Sequence, residues 1–127
     1  MDYSKLSEQE INMAIAEIIF PDRPVIESKS RPPCACVTGH SPSQWVDYCN
    51  NPADAWPIIF GHKLSLINAD DEWLCVPDDT AVDGTTGDDA QMIYWGDGHV
   101  HANPLRAAMV VFLMMQESAN VQTDSAR

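Results

Sequence analysis

The sequence predicts one α+β domain spanning 1–127, a small antiparallel sheet of about three strands packed against three helices. Three observations predict it. Two segments open with helix-start signatures and continue with apolar residues. A third run, Ala107–Met115, is apolar on every face, as a buried helix must be. Between the second and third, the apolar period shortens to the alternation of a hairpin.

The first helix is expected at about Ser7–Phe20. Ser7 and Glu10 in "SEQE" fit a capping box, with Leu6 and Ile11 as the hydrophobic staple. Ile11, Ala14, Ile15, Ile18 and Ile19 line one face, and Pro21 ends the run. Residues 21–44 carry five prolines among scattered polar residues and read as a long irregular loop. In the second helix Asn51 is the cap, Pro52 suits the first position and Asp54 faces the dipole. Pro57 then limits the element to two or three turns, bent at Trp56–Pro57. Trp56 and Trp73 are expected to pack helix onto sheet, the simplest use of large aromatics in a small domain.

Leu64–Leu66 and Trp73–Cys75 alternate on either side of the polar turn Ala69–Asp71 and read as a hairpin. Residues 77–90 form an acidic loop by composition, and "QMIYW" at 91–95 is the expected third strand. Asn103 and Pro104 repeat the cap-and-proline device at the head of the apolar C-terminal helix. The tail, 118–127, is expected to fray.

Nineteen acids against seven bases give a formal charge of −12. No Lys or Arg stands between Lys63 and Arg106, an interval that holds nine of the acids. Such a surface repels phosphate backbones, which argues against direct binding of DNA or RNA. It can instead attract a basic partner. Asp78, Asp79, Asp83, Asp88 and Asp89, with Trp95 beyond them, are the candidate binding residues of that acidic face. The N-terminus lacks a basic region followed by an apolar run, and no apolar stretch is long enough for a bilayer. The expectation is a cytoplasmic protein with no membrane contact, whose four cysteines are reduced thiols.

Cys34-x-Cys36-x3-His40, with Cys49 downstream, is the metal candidate, because thiolate and imidazole together suit tetrahedral zinc. The spacing departs from C-x2-C, and reduced cysteines commonly serve as small buried hydrophobes, so the default is no cofactor. His99-x-His101 sits in what reads as a turn before the last helix, where both rings could face one side. "DDTAVDGTTGDDA" places Ala90 where an EF-hand needs its bidentate carboxylate, so no such calcium site is expected. A Cys75–His62 dyad has nothing local to activate it. Glycine-rich phosphate loops, nucleophile elbows and H-E-x-x-H pairs are missing, which leans the reading away from an enzyme.

The segments "MDYSKLSEQEIN", "DYCNNPADAWPII" and "NPLRAAMVVFLMMQ" together resemble the lambdoid-phage NinX family. Its members share "W-x-D…A-x-P-I-I", a hairpin and "N-P-L-R-A-A-M", which fall here on Trp45–Asp47, Ala55–Ile59 and Asn103–Met109. The resemblance implies a phage or prophage product acting in the bacterial cytoplasm, and no particular activity. The leading expectation is therefore a non-catalytic module that binds a host or phage protein, in its sharper form by nucleic-acid mimicry. Two rivals stand beside it. One is a small metal- or thiol-dependent enzyme using the Cys/His loop; the other is a homodimeric structural protein whose C-terminal helix is covered by a second copy.

Overall fold

A computed structural model describes residues 2–77 and 98–125. After a 3-10 turn at Tyr3–Lys5, the first helix, α1, runs over Glu8–Ile19. Its capping box is complete: the Ser7 hydroxyl accepts the Glu10 N–H at 3.1 Å, and the Ser7 N–H donates to the Glu10 carboxylate at 2.9 Å. The buried stripe is Ile11, Asn12, Ile15 and Ala16, whereas Ile18 and Ile19 remain 38% and 41% exposed. The helix is thus rotated from the face its isoleucines define, and a buried asparagine sets the rotation.

The segment expected to be an irregular loop holds most of a sheet. Val25–Glu27 (β1), Ala35–Val37 (β2) and Gln44–Val46 (β3) pair antiparallel in the order β1-β2-β3. Each strand is only three residues long, too short to display a period, and the prolines lie outside the strands. Gly39, between β2 and β3, has φ +94°, and a Cβ there would meet Pro24 Cδ at 2.9 Å. That close approach under a left-handed backbone needs glycine.

The second helix, α2, covers Pro52–Gly61 with Asn51 as cap, its carboxamide oxygen accepting the Ala53 N–H at 3.0 Å. The expected hairpin follows as β4 (Ser65–Ala69) and β5 (Glu72–Val76). Its third strand, β6, is His99–His101, antiparallel to β5, so the two histidines lie in a strand and not in a turn. Residues 91–95, where that strand was expected, lie outside the described residues. α3 runs over Pro104–Ser125, helical into the region where fraying was expected.

The class is α+β as read from the sequence, with two three-stranded antiparallel sheets in place of one. α1 packs on β1 and β2, α3 packs on β5 and β6, and the two helices pack on each other. Every residue from Arg106 to Leu113 is buried, as the all-round apolar run requires. Met109 and Phe112 from α3, Ile11 and Ile15 from α1, Val37 from β2 and Ile58 from α2 meet in one cluster. Among the described residues no helix is long and apolar enough to cross a membrane.

Candidate functional site

α2 has two apolar faces and buries one. Ala55, Ile58 and Ile59 enter the core on the side that meets α3. Trp56 and Phe60, one helical turn apart, stay 59% and 72% exposed, their ring centroids 6.1 Å apart. With Ile59, Lys63, Leu64 and Leu66 they line an open groove of about 520 Å³ between the helix and β4. Trp56 therefore does not pack helix onto sheet as expected; the helix turns it to solvent.

The groove's end is fixed by the stop of α2. Leu64 N–H donates to Ile59 C=O at 3.0 Å and Lys63 N–H to Phe60 C=O at 3.3 Å, a Schellman closure that brings Leu64 back over Ile59. The closure puts Lys63 in the left-handed region at φ +53°, although the neighbouring Gly61 would adopt it more readily. Two aromatic side chains of this exposure leave roughly 300 Å² in water, worth up to about 7 kcal/mol if fully covered. Apart from Lys63, the described lining has no acid, base or nucleophile.

The metal candidates are not brought together. Cys36 is buried in the first sheet, in register with the exposed Ile26 and Trp45, and the Arg31 guanidinium lies 4.3 Å over the Trp45 ring. Cys49 belongs to the core cluster, Cys34 is half-buried, and His40 is exposed. Among the described residues no three His, Cys, Asp or Glu side chains are placed to hold a metal ion. Burial, with the nearby Glu8 charge adding to it, pushes the Cys49 thiol up to about 12. Burial does the same to Cys75, and the His62 ring centroid rests 4.9 Å from that of Phe112. Asp78, Asp79, Asp83, Asp88, Asp89 and Trp95 lie outside the described residues.

The two strand histidines differ in their surroundings. His101 Nδ1 accepts the Asn103 N–H at 2.9 Å, just ahead of α3. His99 Nε2 is buried without a hydrogen-bond partner among the described residues, beside a cavity of about 400 Å³ that Asp2, Tyr3 and Ser4 also line. Burial and the neighbouring His101 hold its pKa below the usual histidine value.

The family model described as Bacteriophage P22, NinX matches residues 2–116. The chain belongs to the NinX family. No match was found among curated proteins or among solved structures.

The NinX motifs can now be read on the structure. Asp47 of the W-x-D motif accepts hydrogen bonds from Asn12 and Asn50. Asn103 of N-P-L-R-A-A-M caps α3 through Leu105 N–H at 3.0 Å and also donates to Cys49 C=O at 2.8 Å. Arg106 of the same motif donates to the Ser4 and Leu6 carbonyls at 3.2 and 2.6 Å, tying α3 to the N-terminal turn. Arg106 Nε is buried without a hydrogen-bond partner among the described residues, and none of these three residues lines the groove. A sequence signal for it existed: a ten-residue helix with apolar residues at 55, 58 and 59 and again at 56 and 60 has more apolar face than one contact covers.

Proposed function

We propose that this phage accessory protein is a non-catalytic binding module that captures a host or phage protein in the bacterial cytoplasm, with the Trp56–Phe60 groove as its docking surface. The exposed aromatic pair is the observation that carries this reading. Trp and Phe held in water on a rigid helix are the anchor type that dominates protein interfaces. The family assignment supports the phage context, and the acidic composition supports a partner of opposite charge. In the sharper form, the acids between Lys63 and Arg106 compete with nucleic acid for that partner.

The test is affinity purification of the tagged chain from infected cells, alongside Trp56→Ala and Phe60→Ala variants. Both residues are largely exposed, so the variants should fold normally. A partner retained by the parent and lost by both variants is the expected result. An identical set of co-purified proteins for all three would overturn the assignment of the groove.

A further inference from the structure

We infer that the groove takes a basic segment of its partner, with bulky apolar side chains in the groove and Lys and Arg on the flanks. This rests on the protein-binding reading above and adds the partner's chemistry. The interior of the groove selects for apolar anchors, since five of its six described lining residues are Trp56, Ile59, Phe60, Leu64 and Leu66. The stretch of sequence that carries it is acidic. From residue 32 to residue 105 Lys63 is the single base, against eleven acids.

Three of those acids have a defined place beside the site. β4 passes from groove-lining Leu66 to the hairpin tip, where Asp70, Asp71 and Glu72 are all exposed. At about 3.3 Å per residue the tip begins roughly 13 Å from Leu66, the reach of about four residues of an extended segment laid along β4. Cations spaced that far from the apolar anchors stand beside the three exposed acids of the tip, close enough for direct ion pairs. The same charge argues against other occupants. A second copy would bring another −12 against the first, and nucleic acid or an anionic membrane would be repelled.

The experiment is selection of a displayed library of randomised peptides against the full chain, with binding of the enriched peptides measured at low and high salt. Two variants accompany it: Phe60→Ser, and a triple Asp70→Asn, Asp71→Asn, Glu72→Gln replacement at the exposed tip. The expected peptides carry paired bulky apolar residues and an excess of Lys and Arg. They lose tenfold or more in affinity on Phe60→Ser, and several-fold, with a shallower salt dependence, on the triple replacement. Enriched peptides that need Phe60 but are neutral or acidic, or that ignore the triple replacement, overturn the basic partner and leave the docking groove standing. If no enriched peptide depends on Phe60, the groove itself is refuted. A dimer in sedimentation that Phe60→Ser converts to monomer assigns the groove to a second copy and overturns the inference as well.

Discussion

Asn12 Nδ2 and Asp47 Oδ1 lie 2.9 Å apart, joining the buried side of α1 to the segment between β3 and α2. The same Asn12 amide donates to Pro33 C=O at 2.9 Å, and its oxygen accepts the N–H groups of Tyr48 and Cys49 at 2.8 and 3.2 Å. All four hydrogen-bonding positions of one fully buried carboxamide are filled.

Replacing it should therefore be severe. Asn12→Ala leaves two buried backbone N–H groups and the Pro33 carbonyl without their partner, a cost of about 3 kcal/mol or more. Urea unfolding measures it. A loss below about 1 kcal/mol would mean that water takes over the network.

The two Asn-Pro helix starts should respond unequally. Asn51 caps α2 from an exposed position, and Asn51→Ala should cost about 1 kcal/mol. Asn103 caps α3 and also holds the Cys49 carbonyl, so Asn103→Ala should cost about 2–3 kcal/mol. Equal losses in urea midpoint would show that the second bond contributes nothing.

Backbone conformation gives a pair of opposite sign. Lys63→Gly relieves a left-handed lysine at the end of α2 and should stabilise by about 1 kcal/mol. Gly39→Ala forces a Cβ against Pro24 at a left-handed φ and should destabilise by about 2 kcal/mol. Thermal melts of the two variants should move in opposite directions from the parent.

Alkali should unfold the protein through its buried thiols and phenol. The folded pKa values of Cys49 and Cys75 rise from an ordinary value near 9.0, and that of Tyr48 from 10.0, to about 12, chiefly by burial. The unfolded chain then loses these protons first, so the native state binds more protons across the window. Their contribution is intact below about pH 9 and is lost as the pH rises towards 12. At the acid end His99 acts in the opposite sense. Its depressed pKa means that the unfolded chain protonates first, and stability falls as the pH drops through the usual histidine range near 6.5. Urea midpoints from pH 5 to 11 should trace a plateau falling at both ends, and a midpoint constant above pH 9 would contradict the alkaline limb.

Helix starts were legible because capping is local: Ser7 with Glu10, Asn51 with Pro52 and Asn103 with Pro104 declare themselves within four residues. The first sheet was not, because three-residue strands such as Val25–Glu27 carry no period and its prolines read as an absence of structure. Asn12 was hidden for a related reason. Its partners, Pro33, Asp47, Tyr48 and Cys49, stand 21 to 37 positions away, and in the helical pattern it resembles a solvent residue. Trp56 was misread because its exposure depends on what covers the second face of α2, which no local rule reports.

The order of packing also sets an order of opening. The first sheet rests on α1, α1 rests on α3, and α3 also meets α2, the second sheet and the N-terminal turn. The sheet of three-residue strands can detach while α1 and α3 stay joined, whereas release of α3 dissolves every layer at once. Amide protons of β1–β3 should then exchange with solvent first, and those of Ala107–Leu113 only when the whole molecule unfolds.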